Sequence, residues 1–468
     1  MTCAAFTLDV AEIGRALAAR VVGGAGAPVF DAVSSDTRTI RPGALYFAIR
    51  GPRFDGHAFV GDAVRGGAGG VVVSDAGALD GLPGTAAGFV VDDTVAALQA
   101  LARHVRRRSG ARVVAITGSA GKTTTKEAIA TLLSARFATI RNRGNLNNHI
   151  GLPLSLLELT GGAEVAVMEL GMNHAGEIRQ LVSIAEPDVR VWTNVGTAHI
   201  GFFGTTEAIA DAKAEILEHG ERAWLVANAD DPLVTARARS FAGRTLTFGI
   251  DEPADVRAGD VEDRGFSGMR ATVDTPAGRM HVYTALAGRG HLRNVLAAIA
   301  VAVHFDVPAA AIVERVAGLR PAPHRGEVRR LGRDVVLVDD CYNASPSALR
   351  ELLATAAGDP SHRRRAAFLG EMLELGDASE SLHQACGRVV AETGVAALVT
   401  AGGPPARALA EAAVAAGLRP EAVAHVESSE AAAMLVPTVV RPGDLVLVKG
   451  SRGIRMERVV DRVVAEFD

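Results

Sequence analysis

Lys122, Thr123, Glu169, His199 and Lys213 are the residues whose types and spacing could do chemistry. Lys122 and Thr123 stand in the stretch TGSAGKTTTK, where Gly118, Ser119, Ala120, Gly121 and Thr124 are the other members of a glycine-rich turn. The apolar run Val113–Ile116 ahead of it reads as a buried strand, and Lys122 to Leu133 as a helix. A turn of that kind aims backbone N–H groups and a helix N-terminus at an anion. The Lys122 ammonium adds positive charge, and the Thr123 hydroxyl can hold Mg²⁺. The common spacing G-x-x-x-x-G-K-[ST] would require glycine where Ile116 stands, so this cradle is the shorter kind.

Two further strands supply the other three residues. Val165–Met168 reads as a strand ending at Glu169, and Val189–Thr193 as one that leads to His199, followed by a helix carrying Lys213. In a doubly wound sheet the carboxyl ends of the strands border the ligand crevice. A carboxylate there is a Mg²⁺ ligand or a holder of water. A second metal-type residue at the next strand end strengthens that reading of His199.

Composition sets the frame for these elements. A chain of 468 residues divides into about three domains at roughly 150 residues each. With 48% hydrophobic residues, 51 glycines and mean hydropathy +0.20, it fits an α/β protein rather than a disordered or fibrous one. A net charge of −4 gives no electrostatic reason to expect nucleic acid or membrane binding. Cys3, Cys341 and Cys386 are odd in number and widely spaced, against both a disulfide framework and a zinc cluster. No apolar run reaches about 18 residues and the N-terminus lacks a signal-peptide pattern, so a reducing cytoplasm fits best.

In chain order, the residues before the cradle form a unit of their own. Leu45–Ile49 reads as a strand, and the polar clusters Ser35, Asp36, Thr37, Arg38 and Asp55, Gly56, His57 could bind a phosphorylated ligand or simply shape loops. The arginine-rich run Arg103 to Arg112 reads as the solvated end of a helix plus a linker, with a boundary near Ser109. After the cradle, Asn145, Asn147 and Asn148 lie in an Asn-rich loop that could meet substrate, although Asn also suits turns for backbone reasons. Phe248 to Tyr283 suggests a small antiparallel insertion, and a helix near Leu292 has His291 and Asn294 at its mouth. From about Leu319 a second open α/β unit follows, its strand ends offering Asp340, Asn343, Glu371 and Lys449.

At this level of detail the chain resembles the ATP-dependent Mur ligases over essentially its whole length. The resemblance rests on TGSAGKTTTK, MELGMNHAGEI, TNVGTAHIGFFGTTEAIADAKAEI, GLRPAPHRGE, VDDCYNASP, LGEMLELG and VLVKGSRGIRME. MELGMNHAGEI and DDCYNASP point to the members that add D-alanyl-D-alanine. Ala120 stands where Asn is common, Cys341 where the family has Ser, and Leu292 where its helix start has a first Asn. The fold implied is α/β in three domains. Residues 1–108 would be a small UDP-sugar-binding domain, 109–317 a central P-loop parallel-sheet domain, and 318–468 a C-terminal Rossmann-like domain.

The resemblance implies joining UDP-MurNAc-tripeptide to D-alanyl-D-alanine, with ATP and Mg²⁺ as cofactors and an acyl phosphate as intermediate. Lys122, Glu169, His199 and Lys213 would be catalytic, with Thr123 and Glu169 on one metal and His199 and a carbamylated Lys213 at a second position. ATP would lie on Gly118 to Thr124, Asn294, Arg325 and Asp340. Ser35 to Arg38 and Asp55 to His57 would hold the UDP-sugar, Asn145, Asn147 and Asn148 its path, and Asn343, Ser345, Lys449 and Arg452 the dipeptide side. Ligands drawn from three domains make a complete site only when the domains close. The chain is expected to act as a monomer, without nucleic acid or membrane insertion. Alternatives are another Mur-type ligase adding an amino acid, for which the expected D-N-P-R-type motif is missing, and a non-catalytic P-loop nucleotide sensor. A folate polyglutamate ligase would lack the N-terminal domain.

Overall fold

The computed structural model describes residues 3–26, 28–52, 54–361 and 364–468. Its helices and strands follow the periodicity of the sequence closely. Lys122–Leu133 is a helix, Val165–Glu169 and Val189–Trp192 are strands, and Lys213 rides on the helix Thr206–Ala214. The helix Thr94–Ser109 shows how local chemistry sets such an element. Asp93 caps its start by accepting from Val95 N and Ala96 N, and Gly110, at φ 66°, ends it. Its Leu98, Leu101, Ala102 and Val105, spaced to share one face, are buried in the core.

Among the described residues three large sheets carry the chain, beside a two-stranded pair of Leu8–Asp9 with Val29–Phe30. A five-stranded sheet is built from residues 20–90, a nine-stranded one from 112–284 and a six-stranded one from 327–449. In the nine-stranded sheet the cradle strand Arg112–Thr117 lies between Val165–Glu169 and Val189–Trp192, parallel to both. Glu169 is in register with Ile116, and Trp192 with Thr117. The chain changes direction across the sheet at this strand, so the crevice opens beside the cradle, as the switch-point rule requires. The six-stranded sheet repeats the arrangement: Val336–Asp340 lies beside Leu445–Lys449, which pairs Asp340 with Lys449.

Two readings of the sequence need correction. The strands Val256–Asp263, Met269–Thr275 and Gly278–Thr284 are antiparallel among themselves, but they extend the main sheet rather than forming an insertion apart from it. Val256 pairs with Phe248 of the strand Arg244–Gly249. The arginine run is a solvated helix end except at Arg106. Arg106 is buried and donates to Ala185 O, Ala111 O, Glu186 O and the Asp188 carboxylate. Arg103 and Arg107 pair with Glu186, and Arg108 with Glu12. The physical reason is that Leu8 to Phe241 form one continuous apolar core, so one face of this helix, Arg106 included, is buried in the seam between the first two sheets while the other stays exposed.

Candidate active site

The cradle is held open by its glycines and clamped from the side. Gly121 adopts φ 79°, and a Cβ on it would overlap the Asn294 side-chain oxygen, so the helix Arg289–His304 packs directly on the turn. Asn194, just past its strand, accepts from Ala120 N at 2.9 Å and donates to Ala120 O at 3.1 Å. Thr193 donates to the same carbonyl at 2.8 Å, and Ser119 exchanges hydrogen bonds with Gly196. The turn is therefore fixed in shape before any anion arrives. Pre-organised donors of this kind are what charge stabilisation needs.

Lys122 lies at the helix start, its ammonium donating to Gly118 O at 2.7 Å. Burial, with a contribution from Arg325, pulls its pKa below the ordinary lysine value, against the opposing pull of Glu169. Lys213 is 2% exposed and donates to the same Gly118 carbonyl at 3.2 Å. Burial first, then the Lys122 charge, hold its pKa well below the ordinary value. Such a lysine favours the neutral amine.

Glu169 ends its strand almost fully buried and is held on both oxygens. Thr123 Oγ1 donates to Oε2 at 2.7 Å and Asn147 Nδ2 to Oε1 at 2.8 Å. Its backbone N–H donates to Asn142 Oδ1 at 2.9 Å. His199 adopts φ 66°, with Nδ1 2.6 Å from Glu374 Oε2 of the third sheet. That approach is a close contact whose angle misses that of a hydrogen bond, and it becomes an ion pair only when the imidazole is protonated. Burial and the nearby lysine charges lower the His199 pKa, with Glu374 acting the other way.

A cavity of about 610 Å³ gathers these residues with those of the C-terminal unit. Ser119, Ala120, Gly121, Lys122, Thr123, Thr124, Glu169 and His199 line it together with Asn294, Arg325 and Asp340. Asn145, Asn147, Asn148, Asn343, Ser345, Lys449 and Arg452 line it as well. Gly118 and Lys213 sit just behind this lining, joined by their hydrogen bond. Two of these residues have structural work too. Asn148 Oδ1 accepts from Ile150 N and Gly151 N at a helix start, and Ser345 caps the helix Pro346–Gly358. Lys449 pairs with Asp340 at 2.6 Å, as their register dictates.

The N-terminal candidates do not line the cavity. Asp36 caps a short turn and carries the Arg38 guanidinium, which lowers its pKa. Asp55 accepts from the His57 N–H and ring Nδ1, and these hold its pKa down at about 2. Ser74 N donates to His57 Nε2, so the ring proton is on Nδ1. A Cβ on Gly56 would lie 2.6 Å from Ile49 N, which explains a glycine there. This loop is knitted to itself, Ser35 and Thr37 lying beside the capping Asp36.

Sequence reasoning missed four contributors: Asn142, Asn194, Tyr342 and Glu374. Tyr342 lies under the Arg325 guanidinium, 4.0 Å from ring centroid to Cζ, and Arg452 approaches the same ring at 5.7 Å. Asn142 and Asn194 sit beside strand ends next to the cradle, which is the one signal that could have found them. Glu371 turns away, accepting from Gly403 N. Cys341 serves as a hydrogen-bond donor. Its thiol donates to buried Asp339 at 3.0 Å, Asp339 also takes His324 Nδ1 at 2.8 Å, and burial with Asp339 pushes the thiol pKa far up. That is a hydrogen-bonded anchor under the Arg325 loop, not a nucleophile.

The chain belongs to the Mur ligase family. Residues 29–117 match the family described as the Mur ligase catalytic domain, 116–302 the Mur ligase middle domain, and 324–452 the Mur ligase glutamate ligase domain. Within that family, its sequence is similar to the UDP-N-acetylmuramoyl-tripeptide–D-alanyl-D-alanine ligase of Bacillus subtilis, 32% identical over 437 residues and 93% of each chain. The fold is similar to MurF from Acinetobacter baumannii, with TM-score 0.87 and 29% identity over 98% of this chain and 99% of that one. It is also similar to MurF from Thermotoga maritima in complex with ADP, with TM-score 0.81 and 31% identity over 93% and 97%.

Proposed function

We propose that the chain is the ATP-dependent, ADP-forming ligase that adds D-alanyl-D-alanine to UDP-N-acetylmuramoyl-tripeptide, a step of peptidoglycan precursor synthesis. The observation that carries this is the shared cavity: a pre-formed phosphate cradle faces Asn343, Lys449 and Arg452 of another sheet across one space. A nucleotide switch needs the cradle. A ligase needs in addition a second wall where a carboxylate and an amine can be brought to the γ-phosphate.

In this reading the tripeptide carboxylate attacks the γ-phosphorus. The bond to ADP breaks and an acyl phosphate forms. The dipeptide amine then adds to the acyl carbon, phosphate leaves, and the amine's proton is released. Two anions must meet in the first step, so the chain's contribution is positive charge and fixed donors. Lys122 turns from Gly118 O to the phosphate, the turn's N–H groups cradle it, and Arg325 faces it from the third sheet.

The donor set beside the cradle fits magnesium: a hydroxyl and a carboxylate oxygen 2.7 Å apart, both in the cavity wall. Thr123 and Glu169 would hold that ion, and bound there it would neutralise phosphate charge. His199 and Lys213 would serve a second ion, Lys213 as a carbamate, for which a buried amine of lowered pKa is the reactive form. Residues 1–108 would take the UDP-sugar, 109–317 ATP, and 318–468 the dipeptide, the chain working as a cytoplasmic monomer. Among the described residues no helix is long and apolar enough to cross a membrane.

The test is mass spectrometry of the UDP-sugar after incubation with ATP and tripeptides ending in lysine or diaminopimelate, with and without D-alanyl-D-alanine. A mass gain of one dipeptide that requires both ATP and the dipeptide is expected. Nucleotide hydrolysis with no change in the UDP-sugar would favour the switch.

A further inference from the structure

Of the several places where the second and third units touch, the one beside His199 has no room for side chains. On one side is the short helix Ile200–Phe203, entered through His199 at φ 66°. On the other is the turn around Glu374, at φ 64°, running into Gly376 at φ 55°. Gly201 N–H donates to Glu374 O at 3.0 Å. A Cβ on Gly201 would lie 2.5 Å from Gly376 N and 2.9 Å from Glu374 O, and one on Gly376 2.8 Å from Gly201 Cα. Backbone meets backbone here, which only glycine allows. Ile200 beside it packs against the apolar cores of both units.

The Glu374 turn is itself pinned from behind. Leu373 N donates to the Ser451 hydroxyl and Met372 N to His383 Nε2, each at 2.9 Å, and both acceptor residues are buried. Holding His199 and Glu374 in the left-handed region carries a conformational cost, and such strain persists only where the surroundings over-determine it. Here both strained residues face each other, and the Glu374 carboxylate lies 2.6 Å from His199 Nδ1. That leaves Nε2 as the ring nitrogen for anything bound in the cavity His199 lines.

We propose that Glu374 is a positioning residue for His199, and that the Gly201–Gly376 contact is the joint through which docking of the C-terminal unit sets that imidazole. The role given to His199 rests on the ligase reading; the joint itself rests only on the contacts. Gly201 has no unusual φ and lies in a helix, so Gly201→Ala disturbs the joint and little else. Glu374→Gln keeps the backbone contact and removes the charge.

The experiment compares the parent, Gly201→Ala and Glu374→Gln by small-angle scattering with a non-hydrolysable ATP analogue and the UDP-sugar tripeptide bound, and separately by steady-state kinetics with ATP, the UDP-sugar tripeptide and D-alanyl-D-alanine. Gly201→Ala should show a larger radius of gyration than the parent and about 100-fold lower kcat, since a misplaced group costs about that much. Glu374→Gln should keep the parent radius, lose about 10- to 100-fold in kcat and leave KM for ATP unchanged, as expected when a partner of a ligating histidine is removed. Equal radii for the parent and Gly201→Ala would overturn the joint. Unchanged kcat in Glu374→Gln would overturn the positioning role. A parent without dipeptide-dependent turnover would overturn the ligase reading instead, and the radii would still decide the joint.

Discussion

Gly118 gives the sharpest test of how the cradle is held. Its φ is 153°, and a Cβ there would overlap the Thr193 hydroxyl and lie 3.2 Å from Thr193 Cβ and 3.3 Å from Asn194 N. Thr193 has little freedom to turn aside. It is 3% exposed, β-branched, and its hydroxyl donates to Ala120 O at 2.8 Å. Loss of that hydrogen bond costs about 1 kcal/mol. Holding alanine at this dihedral adds about 1–3 kcal/mol. Gly118→Ala should therefore lower stability in urea unfolding by about 2–4 kcal/mol, and calorimetry should show weakened ATP binding. In the double variant with Thr193→Ala the obstructing hydroxyl is gone. The combined loss should then fall short of the sum of the single losses by about 1 kcal/mol. Parental stability and ATP affinity in Gly118→Ala, or strictly additive losses in the double variant, would refute the clamp.

Three other expectations follow from the same contacts. Thr123→Val leaves the buried Glu169 carboxylate one donor short, which should cost about 1.5–3 kcal/mol in urea unfolding; an unchanged midpoint would remove that bond from the stability of the site. Asp55, with its pKa held at about 2, contributes stability that is full above the ordinary carboxylate value of about 4 and lost as pH falls through about 2. The deficit of Asp55→Asn in urea midpoint should thus be constant above about pH 4 and shrink toward about pH 2; a deficit that grew on acidification would contradict the His57 pairing. Burial pushes the Cys386 thiol up to about 11 and, with Asp339, the Cys341 thiol further, whereas Cys3 is only partly buried. A thiol reagent used below the ordinary thiol value of about 8.5 should modify one cysteine in the native chain and all three after unfolding; rapid modification of a second in the native chain would contradict this.

Much of this site was legible because its signals are local. A β-branched run, two glycines and a helix fix the cradle, and a carboxylate closing the next apolar run fixes Glu169. Both lie within a few residues of the pattern that reveals them. What escaped depends on pairing across the sheet. Asn194 matters because its strand flanks the cradle strand, and Asn142 because its strand flanks the one that ends in Glu169, a fact of strand order that no window of sequence contains. Arg106 looked solvent-exposed because charge runs usually are; its burial comes from a seam with Ala185 and Asp188, some 80 residues on. Tyr342 and Glu374 become visible only when the third sheet is set against the second.

The most direct measurement of the central claim follows an oxygen atom. The UDP-sugar tripeptide is prepared with heavy oxygen in its terminal carboxylate, then ligated to D-alanyl-D-alanine with unlabelled ATP. If that carboxylate attacks the γ-phosphate held by Lys122, each turnover delivers one heavy oxygen to the released phosphate. Released phosphate carrying none of the label, while the dipeptide product still forms, would contradict the acyl-phosphate route.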